Sequence, residues 1–295
     1  MSEKTSKKYK SLKKKTMVGN IVTYVILTLI SVVWLIPFVM IVLESFRGET
    51  TMQVGYVIPK EWSLKNYAAL FAGTSEVVKY PKWYLNTLII AVAVAIIQPI
   101  MVLCVSYTLS RTRFASRKLL MNAMLVIGMF PGFLSMIIMY KVLSGMGLTG
   151  TGAIWGLILV YTASSGMGYY VSKGFFDTVP KSLDEAARVD GATRARVLFS
   201  IIIPMSKPII IYTILTAFMA PWGDFMFASY IAHNTSEGMN VAVGLNNMIG
   251  SATSLSAHYT EFCAGGVLVA IPITILFMCL QKYYVEGVTG GAVKG

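Results

Sequence analysis

Charged side chains are scarce in this chain. Only 13% of its 295 residues are charged, against about a quarter in a soluble globular domain. Cysteine is rarer still: 3 residues, an odd number without metal-ligand spacing, indicate neither a disulfide framework nor a zinc site. The dipeptide Gly-Lys, which a phosphate-binding loop requires, occurs nowhere. Any ATP hydrolysis linked to this chain is therefore expected on another polypeptide.

Apolar residues, in contrast, make up 56% of the chain. They form six runs long enough to cross a bilayer, which takes about 20 helical residues. The runs cover residues 17–43, 85–109, 119–140, 151–171, 208–232 and 262–281. The sequence predicts an all-α polytopic membrane protein with six transmembrane helices. Its predicted parts are a basic N-terminal segment (1–16), a transmembrane domain (17–281) and a C-terminal tail (282–295).

The basic residues are distributed unequally between the two sides of the predicted membrane domain. Of the 25 lysines and arginines, 19 lie in segments that would share one side, and residues 234–261 contain none. This asymmetry is the positive-inside pattern, which places both termini in the cytoplasm. A nucleic-acid-binding arm would also be basic, but the N-terminal lysines directly precede an apolar run. We therefore expect contact with lipid and none with nucleic acid.

One cytoplasmic loop, residues 174–206, is a charged island between apolar runs. Ser182 and Glu185 have the spacing of a capping box, which predicts the start of a short helix. Gly191 is a natural helix stop, because glycine adopts the left-handed conformation at low cost. Thr193 then predicts the cap of a second helix. The loop is predicted to form a short helix, a sharp turn and a second helix that returns to the membrane.

The residues of this loop resemble a known family. The sequence Glu185-Ala-Ala, followed by Asp190-Gly-Ala and Ile203-Pro, is similar to the EAA loop of permease subunits of bacterial ABC importers. The resemblance covers nearly the whole chain and is strongest to maltose/maltodextrin-type carbohydrate permeases. Further residues that carry it are Met129-Phe-Pro131 with Leu134-Ser135, Val241-Ala-Val-Gly244, and the ending 285–295.

The resemblance implies a type I ABC importer permease fold in which the short helix is a coupling helix against an ATPase. It assigns ATPase coupling to Ser182, Asp184, Glu185, Ala186, Ala187, Asp190, Gly191 and Ala192. It also implies an ATPase contact for the tail residues Gly291 and Lys294.

The same resemblance implies the setting of the protein. The expected partners are a homologous second permease, two ATPase subunits, an extracellular solute-binding protein and an oligosaccharide, in the bacterial cytoplasmic membrane. The chain itself is expected to be no enzyme and to hold no cofactor, because ATP and magnesium would bind to the ATPase.

Asp224 is a carboxylate inside the fifth predicted span, roughly 10 Å from its outer end. A charge at the centre of a spanning helix costs about 2.5–3.5 kcal/mol, so it should face a partner or a wet cavity. Pro221 and Gly223 weaken the helix there. Together with the rings of Trp222 and Phe225, Asp224 is a candidate for the substrate path. An equally favoured interpretation is a kinked helix whose aspartate pairs with a polar group of the second permease.

The specific substrate is left open by the sequence. Galacto-oligosaccharides or glycerol phosphate are alternatives within the same family. From a different class, an ion-coupled secondary transporter would typically have paired acids or broken helices in both halves. An intramembrane metalloenzyme would need a His-Glu cluster within a span, and none occurs.

Overall fold

The structure, a computed structural model, describes residues 3–49, 55–72, 78–129, 132–163, 166–233 and 235–292. Throughout these residues the regular structure is helical, and the only β-type pairing is an isolated antiparallel bridge between Arg47 and Trp62. The α-helices are α1 (Glu3–Ser45), α2 (Lys65–Phe71), α3 (Tyr80–Arg111), α4 (Arg117–Gly128), α5 (Gly132–Gly145), α6 (Ala153–Ala163), α7 (Gly166–Thr178), α8 (Lys181–Val189), α9 (Arg194–Val197), α10 (Ile203–Met205), α11 (Lys207–Gly223), α12 (Met226–Ala232), α13 (Val241–Met248) and α14 (Ala252–Ala292). A π-helical segment (Leu198–Ile202) joins α9 to α10, and short 3-10 turns cover Gly150–Gly152 and Ser236–Gly238.

Within the described residues, three helical segments are long and apolar enough to cross a membrane alone. They are Thr16–Ser45, Tyr80–Arg111 and Ala252–Tyr283. Two bent pairs also qualify, Leu134–Gly145 with Gly150–Thr178 at 103° and Arg194–Met205 with Lys207–Gly223 at 84°. The described chain thus holds three spans, or five if each bent pair counts as one. The all-helical class is confirmed, and the count of six spans stays a prediction.

The main core forms around α3. Helices α6, α11 and α13 pack on α3, and α14 packs on both α11 and α13. Helix α13 approaches α3 closely at Gly244, where an added Cβ would lie 2.1 Å from Cε3 of the buried Trp83 ring. Only a glycine lets the two helices meet at this distance. Residues 241–244, which form the first turn of α13, are therefore packed closely against α3.

A second, smaller core lies beneath α8. It joins the end of α3 to α7, α9, the π-helical segment and α11, through buried Leu103, Phe176, Val179, Val197, Leu198, Ile202 and Ile209. The π-helical segment directly precedes Pro204, which lacks an N–H group and disturbs the preceding turn of an α-helix. This core seats the loop 174–206 on the membrane helices.

Helix α1 has little cover within the chain. The most apolar part of Thr16–Ser45 contains no buried residue. The side chains along this part, including those of Leu29 and Trp34, are exposed. The helix packs against α14. An apolar surface of this extent requires lipid or another subunit around it.

The segment that follows α1 is organised around a buried arginine. The Arg47 guanidinium donates to both carboxylate oxygens of Glu44 at 2.7 Å, and also to the carbonyl oxygens of Tyr56 and Val57. Asn66 of α2 donates to the carbonyl oxygen of Arg47 at 2.9 Å. The hydrogen bonds that Arg47 donates to Glu44 raise the pKa of Arg47, so its guanidinium stays protonated.

Candidate functional site

Helix α8 begins two residues earlier than the capping box predicts. Pro180, with φ −57° and ψ 129°, occupies the N-cap position, and no side chain caps the helix. The predicted capping box is therefore wrong: Ser182 and Glu185 lie inside the helix. The physical reason is that proline already fixes the backbone conformation that an N-cap residue needs.

The turn after α8 is as sharp as predicted. Gly191 has a φ of +83°, and its N–H group donates to the Arg188 carbonyl at 3.1 Å. The Ala192 N–H group donates to the Ala187 carbonyl at 2.9 Å, which closes the end of the helix. Thr193 caps α9, because its hydroxyl accepts a hydrogen bond from the Arg196 N–H group at 3.3 Å. The helix, turn and helix of the prediction are confirmed.

The outer face of α8 is exposed and carries both charged and small apolar residues. Glu185 and Ala186 lie on it, and the Val189 side chain next to the turn is 87% exposed. The opposite face rests on the small core, where Ala187 and Ala192 are partly buried. A short exposed helix with the small Ala186 and the exposed Val189 on its surface is narrow enough to enter a groove on a partner.

An ion pair between Asp184 and Arg111 connects α8 to α3. Asp184 Oδ2 lies 3.0 Å from Nε of Arg111, the last residue of α3, and the two side chains are 14% and 5% exposed. Arg111 Nη2 also donates to the Val179 carbonyl at 2.8 Å. Ser110 donates to Asp177 Oδ1 at 2.6 Å. Of the residues predicted for coupling, Asp184 thus faces inwards, while Ser182, Glu185, Ala186, Asp190 and Gly191 are exposed.

The predicted helix break lies where α11 ends, at Gly223. Asp224 Oδ2 accepts a hydrogen bond from the Tyr161 hydroxyl of α6 at 2.5 Å, and Oδ1 accepts one from the Phe227 N–H group at 3.1 Å. The aspartate therefore caps α12 and joins it to α6. Its polar partners lie within this chain, whereas the kinked-helix interpretation expected one on the second permease.

Asn240 satisfies the backbone carbonyls that the break sets free. Its Nδ2 donates to the carbonyl oxygens of Pro221 and Asp224, at 3.0 and 2.8 Å. Its Oδ1 accepts from the Val243 N–H group at 2.9 Å and so caps α13. The side chain is fully buried. One asparagine thereby holds the break and the start of α13 together.

The two candidate rings at the break point in different directions. Trp222 is 4% exposed and packs against Tyr84 and Phe218, with ring centroids 5.2 and 5.9 Å away. Phe225 is 38% exposed. Phe225 is thus accessible beside the carboxylate of Asp224, while Trp222 belongs to the core. Contact with substrate stays a prediction for all three residues.

The predicted tail contact falls largely beyond the described chain. Gly291 lies in the last turn of α14, and Lys294 is outside the described residues. Their contact with an ATPase stays a prediction.

Three residues that matter at these sites were missed by the sequence reasoning. Asn240 had a usable signal, because an asparagine directly before an apolar helix is a preferred N-cap. Arg111 and Tyr161 had none, since their partners are far away in the sequence.

Helix α8 with its turn, and the helix break at Asp224, both lie within the part of the chain that matches a known family. Residues 107–290 match the family described as "Binding-protein-dependent transport system inner membrane component". The chain belongs to this family. Its members are transport subunits and not catalysts. Within it, the resemblance to maltose/maltodextrin-type ABC permeases is also confirmed.

Several curated relatives of this inner membrane component align over almost their full length. This chain is 35% identical to the maltodextrin transport system permease protein MdxG of Bacillus subtilis, and the match covers 95% of this chain and 98% of the relative. It is 33% identical to the galactooligosaccharides transport system permease protein GanQ of the same organism, over 96% and 99%. It is 34% identical to the maltodextrin permease MalD of Streptococcus pneumoniae, over 97% and 99%.

A solved structure shares the fold of this inner membrane component. A chain of a bacterial ABC transporter involved in the import of the acidic polysaccharide alginate superposes with a TM-score of 0.73. The match covers 91% of this chain and 97% of the other, at 21% sequence identity.

Proposed function

We propose that this chain is one permease subunit of an ATP-driven oligosaccharide importer, with malto-oligosaccharides as its substrate. It would form half of a translocation pathway with a homologous second permease and work by alternating access between outward-open and inward-open states. The observation that carries the proposal is the exposed α8 and its glycine turn within a chain of this family. Two maltodextrin permeases, 35% and 34% identical, support the substrate.

We propose that α8 is the coupling helix and that it seats in a groove on an ATPase subunit. Glu185, Ala186 and Val189 would form the contact, because they lie on its exposed face. ATP and magnesium would be bound by two ATPase subunits, and Gly291 and Lys294 would add a contact from the tail. In this proposal the chain has six spans, with the loop 174–206 and both termini in the cytoplasm.

Movement of α8 would reach the membrane helices by two routes. The first is the ion pair of Asp184 with Arg111, which joins α8 to α3. The second is the small core, which joins α7, α9 and the π-helical segment to α11. Since α3 and α11 are packed on each other, a displacement of α8 would move both. An extracellular solute-binding protein would deliver the sugar on the opposite side.

The coupling role is tested by co-purification of the full chain with its cognate ATPase. We expect Glu185→Ala and Gly191→Ala to lower the recovery of the ATPase. Glu237→Ala is the matched control, since it removes an exposed carboxylate near α12, far along the chain from the coupling loop. Variants at 185 and 191 that keep both the ATPase and normal uptake would refute the proposal. Uptake without any ATPase would favour an ion-coupled carrier instead.

The substrate-path role of Asp224 is tested by uptake kinetics. Asp224→Ala should reduce uptake while the complex still assembles, if the carboxylate lines the path together with Phe225. Tyr161→Phe is a matched variant, because it removes the hydrogen bond to Asp224 and keeps the carboxylate. Unchanged uptake kinetics in Asp224→Ala would leave this residue with its capping role only.

Galacto-oligosaccharides are the second candidate substrate, favoured by the relative that is 33% identical. The two classes are separated by measuring which sugars the cognate solute-binding protein binds and which the assembled importer takes up. Binding of galacto-oligosaccharides and not of malto-oligosaccharides would overturn the first choice. Selection of glycerol phosphate would overturn both.

A further inference from the structure

A basic cavity lies between the end of α3 and the helices α8 and α9. Its volume is about 270 Å³. Among the described residues that line it, six are basic and two are acidic. The basic residues are Arg111, Arg113, Arg117, Lys181, Arg188 and Arg194, and the acidic ones are Asp184 and Glu185. The excess of positive charge is large for so small a volume.

Two arginines of the cavity have buried N–H donors for which the described chain provides no acceptor. Arg111 is 5% exposed, and its Nε and Nη2 face Asp184 and the Val179 carbonyl. Its Nη1 is buried without a hydrogen-bond partner, and so is Nε of Arg117. A buried donor without an acceptor is unfavourable, more so when it is charged. A ligand that brings acceptor oxygens into the cavity would satisfy these atoms.

We propose that this cavity binds a phosphate-type oxyanion, free in solution or as the headgroup of an anionic phospholipid. The planar guanidinium groups of arginine match the oxygens of a phosphate group and bind them through paired hydrogen bonds. Asp184 Oδ2 lies 3.0 Å from Arg111 Nε, whereas Oδ1 is buried without a hydrogen-bond partner, and the six basic side chains of the lining still exceed its two carboxylates. Basic pockets at the cytoplasmic ends of spanning helices are also the sites where lipid headgroups bind.

The bound anion would join three separate elements. Arg111 ends α3, Arg188 lies in the last turn of α8, and Arg194 begins α9. The Tyr107 hydroxyl of α3 donates to the backbone carbonyl of Arg194 at 3.4 Å, so α3 already contacts the start of α9 beside the cavity that all three arginines line. An anion between them would hold the coupling loop against α3 and relieve the repulsion of like charges.

The experiment uses the purified full-length chain in a neutral, phosphate-free detergent. One probe is inorganic phosphate, with chloride at equal ionic strength as its control, and the readout is the midpoint of thermal unfolding. The other probe is phosphatidylglycerol, with phosphatidylcholine as its control, and the readout is the bound fraction in native mass spectrometry. Neither measurement needs transport or an ATPase, so its outcome is independent of the importer proposal.

The variants locate the site. The double variant Arg188→Gln with Arg194→Gln removes two exposed rim charges and leaves the buried Arg111 in place. Arg196→Gln is the matched control, because this exposed arginine belongs to the same loop and does not line the cavity. The wild type and Arg196→Gln should bind a probe equally. The double variant should bind at least about tenfold more weakly, since each hydrogen bond to a charged group contributes more than a neutral one.

The two sources are separated by which probe binds. A response to phosphatidylglycerol alone identifies the lipid headgroup, and a response to inorganic phosphate shows that the free anion is sufficient. The proposal is overturned if neither probe binds, or if the double variant binds as tightly as the wild type.

Discussion

Replacing Asp184 with asparagine removes the only carboxylate found within ion-pair distance of Arg111 in the described chain. The side chain keeps its size, and an amide can still accept a hydrogen bond, so the change isolates the charge. The guanidinium of Arg111 retains its bond to the Val179 carbonyl and loses its ion-pair partner, while Glu185 is the one carboxylate left in the described lining of the cavity. We expect α8 to loosen from the end of α3.

The magnitude follows from burial. Removing one member of a buried ion pair costs about 3–5 kcal/mol. The Arg111 and Asp184 side chains are 5% and 14% exposed, and water can enter the neighbouring cavity of about 270 Å³. This screening places the expected loss in the free energy of unfolding near the lower limit, about 3 kcal/mol.

Glu185→Gln provides the control for stability. It makes the same chemical change one residue along α8, where the carboxylate is exposed, and should cost less than about 0.5 kcal/mol. Both variants are measured by denaturant unfolding of the full chain in mixed micelles. Asp184→Asn should also lower the number of sugars transported per ATP while the ATPase still binds. Equal stabilities of the two variants would refute the anchoring role of Asp184.

Three further predictions concern the break near Asp224, helix α13 and the segment that follows α1. Asn240→Ala should destabilise the chain by about 2–3 kcal/mol in the same unfolding assay, since it removes a helix cap and two bonds to buried carbonyls, whereas exposed Asn246→Ala should not. Gly244→Ala should prevent α13 from seating on Trp83 and should lower the yield of folded protein, measured by size-exclusion chromatography. The pKa of Glu49 is lowered, first by a hydrogen bond from its own backbone amide. Its contribution to the order of the segment between α1 and α2 is therefore present above the usual glutamate pKa and lost as the pH falls through the lowered one. A fluorescent probe on this segment should report the change in the wild type and not in Glu49→Gln.

The sequence predicted best what depends on local chemistry. Gly191 and Thr193 form the predicted turn and cap, because a positive φ and a hydroxyl cap are properties of single residues. The capping box at Ser182 was wrong for the same local reason, since Pro180 already provides the required backbone conformation two positions earlier.

What depended on tertiary contacts could not be predicted from one sequence. The break near Asp224 was expected from Pro221, but the acceptor of the Tyr161 hydroxyl and the donor to the freed carbonyls are brought together only by packing. In the same way, the pair of Arg111 with Asp184 joins two helix ends that are distant in the chain. Hydrophobic patterns give the helices and leave such pairings undetermined.

The packing of α1 against α14 has a consequence for biosynthesis. A ribosome makes α1 well before α14, the helix it packs against here. During the interval its exposed apolar surface has only lipid, the insertion machinery or a neighbouring protein to contact. Helix insertion and helix docking are thus separated in time for this element, and the delay gives another membrane protein the opportunity to occupy α1 before its own chain is complete.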